Sequence, residues 1–251
     1  MRRVAWAVAI MGWILAGDVG AATNQAIRVA LYDDEGSSGK GVPRVMELLG
    51  GARDIEVTSF AAGDFKPNAL EGHGVVVFTG GSGSRQAEAI GEVGREEVRR
   101  FVREGGGYVG ICAGAYLACA GFSWGVGVLD AKTVSPKWRR GKGTVKIEVT
   151  PSASSITGLA PGEREIRYAN GPIIVGLGRV DIPDFEPLAV FRSELAENGS
   201  PVGAMLGSPA MACGRYGRGR VFISSPHPEQ TVGMEKLVEC VIRWVASGRG
   251  P

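Results

Sequence analysis

Cys112 stands between two glycines in Gly110-Ile111-Cys112-Ala113-Gly114. Small residues on both sides of a nucleophile are what a sharp strand-to-helix turn needs, because the backbone must double back closely there. A sulfur at the start of a helix meets unpaired N–H groups and peptide dipoles that favour thiolate over thiol. The chemistry expected is nucleophilic attack, which needs a base. The chain has 2 histidines, His73 and His227. His73 precedes an apolar run and falls at the opposite sheet edge from Cys112, which leaves His227 as the base. In Ser225-Pro226-His227-Pro228-Glu229, residues 227 and 229 of an extended segment point the same way. Glu229 can then orient the imidazole while the other ring nitrogen faces the thiol. Candidate donors for the oxyanion are the N–H of Ala113 and an N–H of the glycine turn at Gly80 or Gly81.

The elements that must bring these residues together follow from the hydrophobic pattern. Segments 27–32, 55–58, 74–78 and 107–111 read as strands, and 74–78 is continuously apolar, as in a parallel strand covered on both faces. Amphipathic stretches at 42–49 and 85–103 read as helices between them. This alternation implies an α/β fold with a doubly wound, mostly parallel sheet, helices on both faces, and ligand sites beyond the carboxyl ends of the strands. Cys112 and Gly80-Gly81 both lie on that edge. After residue 120 the pattern changes to short strands near 143–149, 166–168 and 188–191, an antiparallel inserted segment in the second half. A hairpin is expected from 202–206 and 210–216, followed by a strand at 219–224 and a final helix over 231–247.

Residues 1–21 have a basic start, an apolar run from Val4 to Ala16 and small residues Val19-Gly20-Ala21, the pattern of a cleavable secretory signal peptide. The expected product is an exported single domain over 22–251, periplasmic or extracellular, with no stable membrane span once the leader is removed. A formal net charge of +2 gives no basic excess of the kind that nucleic acid requires. The 4 cysteines are too few and too irregular for a disulfide scaffold or a zinc site. An oxidising compartment would still permit one pair among Cys119, Cys213 and Cys240.

Gly107-Tyr108-Val109-Gly110-Ile111-Cys112-Ala113-Gly114-Ala115-Tyr116, with the Gly80-Gly81 turn, Tyr168-Ala169-Asn170-Gly171-Pro172 and the late His227-Pro228-Glu229, resembles the class I glutamine amidotransferase-like superfamily. Within it, the closest resemblance is to the biotin-protein ligase N-terminal domain family, and it covers nearly the whole chain after the leader. The resemblance implies a flavodoxin-like sheet, thioester chemistry on an amide, no cofactor and no metal, with Cys112, His227 and Glu229 in the triad positions. It does not imply biotin ligase activity. Glutamine amidotransferases place a glutamine where this chain has Tyr116, and a phenol cannot reproduce an amide's donor and acceptor pair, which counts against free glutamine.

The function expected is therefore a cysteine hydrolase acting on a small-molecule or peptide amide. A non-catalytic binding or scaffold module, and a thiol enzyme acting on carbonyls or peroxides, remain alternatives. Tyr116, Tyr168, Asn170 and Gly171 are weaker candidates for lining the substrate pocket. Asp33, Asp34 and Glu35 could meet a substrate amine, though a solvated strand end is their default. The run Lys137–Lys142 reads as a solvated basic loop in preference to an anion clamp.

Overall fold

The computed structural model of the chain describes residues 26–248, so the segment 1–21, expected to be a signal peptide, lies outside the described part. The first half alternates strand and helix: β1 (Ile27–Tyr32), α1 (Gly41–Leu49), β2 (Ile55–Phe60), β3 (Val75–Phe78), α2 (Gly83–Arg103), β4 (Gly107–Ile111) and α3 (Ala113–Ala118). The second half carries β5 (Ala131–Thr133), β6 (Lys142–Val149), α4 (Ser154–Thr157), β7 (Gly162–Ala169), β8 (Ile174–Gly176), β9 (Glu186–Phe191), β10 (Pro209–Tyr216), β11 (Gly219–Ser224) and α5 (Glu235–Ala246).

Nine strands form one mixed sheet in the order β2-β1-β3-β4-β11-β10-β9-β6-β7. The run from β2 to β11 is parallel throughout, and from β11 outward every neighbour is antiparallel. Every residue of β3 and β4 is buried. That is why these strands read as unbroken apolar runs, whereas exposure alternates along β6 and β7. Helices α1 and α5 pack over one core beside Val29, Leu31, Val77 and Val109, and the same layer continues beneath Val145, Ile147 and Phe191. Helices α2 and α3 cover the other face over Val76, Phe78 and Tyr108. The doubly wound α/β frame with an antiparallel extension is thus as the pattern implies.

Two local expectations are corrected. Residues 202–206 form turns with Val202 exposed, and β10 pairs with β9 and β11. Its hairpin partner is β11, through a turn in which Gly217 has φ 58°. The final helix begins at Glu235, because Gly233 at φ 83° interrupts the preceding turn. All four cysteines are free thiols.

Candidate active site

The elbow at Cys112 is held from three strands. Its N–H donates to Ser224 O at the end of β11 (2.8 Å), Gly114 N–H donates to Thr79 O after β3 (3.3 Å), and the Tyr108 hydroxyl of β4 donates to Gly114 O (2.8 Å). Cys112 itself has φ 53° and ψ −97°, a region that L-residues avoid because Cβ crowds the backbone. The flanking glycines are required for a different reason from backbone freedom. A methyl at Gly110 would lie 2.5 Å from Gly114 O, and one at Gly114 would lie 2.2 Å from Phe78 O. Neither contact leaves room for a side chain.

The chain leaves β11 at Ser224 and reaches His227 through Ser225-Pro226. His227 N–H donates to Arg167 O (2.8 Å), and Thr231 Oγ1 donates to His227 O (2.7 Å), so its backbone is fixed by β7 and by the turn that follows. Nδ1 lies 2.8 Å from Glu229 Oε1. Gln230 Nε2 donates to the same carboxylate oxygen (2.8 Å). Glu229 does not reach the ring along an extended segment, as the i, i+2 reading has it. Pro228–Gln230 is a 3-10 turn with Pro228 in its first position, where a fixed φ and a missing N–H cost nothing, and the turn folds Glu229 back beneath the imidazole.

Cys112, His227 and Glu229 are 6%, 5% and 1% exposed, so their mutual interactions are little screened by solvent. Burial alone disfavours the imidazolium. Hydrogen bonding with Cys112 and Glu229, reinforced by their charges, outweighs that effect and raises the His227 pKa from 6.5 to about 10. The arrangement therefore favours a protonated ring. Gly80 faces this ring, for a methyl there would sit 3.0 Å from His227 Cε1. Gly81 has φ 142°, and a methyl on it would fall 1.9 Å from Gly36 O. Ala113 is the first residue of α3, where the helix itself offers its N–H no acceptor.

These groups open onto a cleft of about 1650 Å³ beyond the carboxyl ends of the parallel strands. Gly80, Gly81, Cys112, Tyr116, Asn170 and His227 line it. Tyr116 donates its hydroxyl to Asn170 O (3.1 Å), and Asn170, at φ 57°, accepts from Gly141 N–H through Oδ1 (2.8 Å). Tyr168 and Gly171 do not line the cleft. Tyr168 is fully buried, edge-on to Phe191 at 5.8 Å, with its hydroxyl on Gly171 O (2.8 Å). Gly171 is pressed against Ser225, where a methyl would lie 2.0 Å from the carbonyl oxygen. Asp34 caps the turn at Ala62 and lies away from the cleft, as do Asp33 and Glu35. Cys119 donates to Ala115 O (3.2 Å), and burial pushes its thiol up to about 12. His73 packs edge-on against Phe60 at 5.1 Å, before β3. Among the described residues, no group of three or more His, Cys, Asp or Glu side chains is placed to hold a metal ion.

Several lining residues carry no sequence signal. Ala169 places its carbonyl oxygen 3.4 Å from Cys112 Sγ, close enough to accept from the thiol, and Trp124, Arg167 and Gln230 also face the cleft. Backbone acceptors and walls supplied by a distant insertion leave no motif. Only the fold reveals them.

Residues 27–137 match the family model described as biotin-protein ligase, N terminal. Among solved structures, a glutamine amidotransferase is similar over 87% of this chain and 98% of its own, with TM-score 0.58 and 21% identity. The PurLQS structure from Thermotoga maritima is similar over 88% and 99%, with TM-score 0.60 and 19% identity. The chain has the fold of these amidotransferase structures. A ThuA-like protein from Parabacteroides merdae shares the amidotransferase-like frame at TM-score 0.59 and 14% identity, over 90% of this chain and 91% of that one. An uncharacterized protein of Chlamydia muridarum is 30% identical over 162 residues, which is 62% of this chain and 60% of that relative's length.

Proposed function

We propose that the protein is a cysteine hydrolase of an amide or peptide bond. The observation that carries the reading is the buried set Cys112, His227 and Glu229, with the sulfur on a strained elbow and the imidazole 2.8 Å from the carboxylate. In this reading Cys112 Sγ, as thiolate, attacks the amide carbonyl carbon. The developing oxyanion is held by the N–H of Ala113 together with one from Gly80 or Gly81, each donor contributing about 3 kcal/mol. The imidazolium gives its proton to the leaving amine as the C–N bond breaks. Neutral His227 then takes a proton from water, which attacks the thioester and returns Cys112 as thiolate with the imidazolium restored. Glu229 holds the ring in register through both steps and does not itself take the proton. Tyr116 stands where a glutamine-binding side chain would be needed, so the substrate is an amide other than free glutamine.

Export is part of the proposal, with cleavage after Ala21. Mass measurement of the mature amino terminus tests it: a chain starting at Ala22 supports it, and a retained leader sinks it. No helix among the described residues is long and apolar enough to cross a membrane. The chemistry is tested by turnover of amide and peptide libraries together with iodoacetamide labelling at neutral pH. Selective alkylation of Cys112 and loss of turnover in Cys112→Ala are expected. A Cys112 that labels no faster than a free thiol, with no turnover of any library, would mark a binding module with the same fold.

A further inference from the structure

In the basic run Lys137–Lys142, Lys137, Trp138, Arg139 and Lys142 are exposed as a solvated loop requires, but Arg140 is not. The backbone of the run is tied down on both sides, by Glu197 N–H on Arg140 O (2.9 Å) and by Asn198 Nδ2 on Arg139 O (2.9 Å). Arg140 is only 2% exposed. Its Nη2 donates to Glu194 Oε1 (3.0 Å) and to Pro201 O (2.9 Å), while Nε and Nη1 are buried without a partner in the protein. Buried guanidinium donors left unpaired are costly, and each calls for an oxygen acceptor. Arg140 also lines a recess of about 10 Å³, room for one oxygen-sized group. Tyr116, Thr133, Ser135 and Trp138 line both this recess and the main cleft, so it opens beside the residue one helical turn beyond Cys112.

The charges at the cleft have the same sense. Lys40, Lys142 and Arg167 line it, exposed and without an ion-pair partner among the described residues. Its acidic members are Glu47, already paired with Arg44 at 2.6 Å, and Glu197. A cationic mouth raises the local concentration of anions, and a buried arginine behind it selects among them.

We propose that the cleft is a carboxylate-recognition site: one oxygen of an anionic ligand enters the recess and accepts from Arg140, and Lys142 and Arg167 draw the ligand in. Resting on the hydrolase reading, this names the substrate class as carboxylate-bearing amides, with the carboxylate held on the Tyr116 side of the sulfur. A neutral amide can offer Arg140 its carbonyl oxygen but not a charge-assisted bond, so discrimination by charge follows.

Binding of glutarate and of its neutral isostere glutaramide to the mature protein, measured by calorimetry at low salt, tests the site without requiring turnover. Glutarate is expected to bind at least about tenfold more tightly. Arg140→Lys keeps the charge but removes the Nε and Nη1 donors, and should abolish most of that preference. If Arg140→Lys does not fold, Ser135→Leu, which fills the recess without touching the Glu194 pair, carries the same expectation. Lys142→Gln should weaken glutarate a few-fold and flatten its salt dependence while leaving glutaramide unchanged. Equal binding of both probes, no binding of either, or a preference untouched in the recess variant overturns the proposal, as does inorganic phosphate displacing glutarate more strongly than acetate does. The same titration on Cys112→Ala separates the two readings. Charge selectivity there with no Cys112 reactivity in the parent protein would sink the hydrolase and leave the carboxylate site standing.

Discussion

The parallel half of the sheet and its antiparallel extension meet the same cleft with different means. Strands β3, β4 and β11 end in Gly80-Gly81, Cys112 and the approach to His227, positions set by short backbone contacts that tolerate no side chain. The extension meets the cleft through the end of β7, which brings Ala169 and Asn170, and through the loop between β5 and β6, which brings Arg140 to the side recess. The first half is built for a reacting atom, and the second for what surrounds it. Rigid geometry at the parallel edge suits chemistry that must be aligned to a fraction of an ångström, whereas the inserted wall is free to define a ligand.

The sharpest way to break this division is at the elbow. Cys112→Gly removes the nucleophile and also the Cβ that makes φ 53° unfavourable. We expect turnover to fall by about four orders of magnitude, while urea unfolding shows the variant about 1 kcal/mol more stable than the parent. A loss of stability instead would mean that the elbow stores no strain and that its shape is set by packing alone.

Gly171 joins the two halves, pressed on Ser225 O two residues before His227. Gly171→Ala puts a methyl against backbone that has no flexible end to give way, so a destabilisation of about 3 kcal/mol is expected by urea unfolding. His227 should be displaced with it, and iodoacetamide labelling of Cys112 at neutral pH should slow. If stability falls and labelling does not, the two halves are joined structurally but not at the reacting centre.

How far each half is legible follows from the same difference. Val75–Phe78 and Gly107–Ile111 announce buried parallel strands, and a glycine-flanked cysteine announces an elbow, because the physical demand falls on the residues that carry the signal. His227 is identified by scarcity, there being only two histidines. Tyr168 and Gly171 look alike as pocket candidates beside Asn170, yet one is core and the other a close contact. Which face a short antiparallel strand presents depends on register, and a slip of one residue inverts it. Arg140 in a run of basic residues looks solvated until its partner Glu194, 54 positions away, is placed beside it.

The ring pair supplies a prediction on pH. The His227 pKa is raised above its unfolded value by hydrogen bonding with Cys112 and Glu229 against the opposing effect of burial. Its contribution to stability is therefore complete below about 6.5 and lost as pH rises from there through about 10. Urea midpoints measured across that interval should decline in the parent. In Glu229→Gln the decline should be shallower, since the amide hydrogen-bonds without charge, and turnover should drop by two orders of magnitude or more. An unchanged slope would assign the pH dependence to the thiol side of the pair alone.

The smallest expected effect tests the finest link between the halves. The Tyr116 hydroxyl, on α3 of the parallel half, donates to Asn170 O of the inserted wall at 3.1 Å. Tyr116→Phe keeps the ring and its tilted contact with Phe122 at 6.1 Å, so the substitution isolates that single hydrogen bond. About 1 kcal/mol of stability should be lost. The informative quantity is where the rest of the effect falls. Asn170 also accepts Gly141 N–H at 2.8 Å, next to Arg140, so a wall loosened at Asn170 should weaken glutarate binding while iodoacetamide labelling of Cys112 stays as fast as in the parent. Were labelling to slow instead, the wall would be shaping the nucleophile, and the separation of chemistry from recognition would not hold at this position.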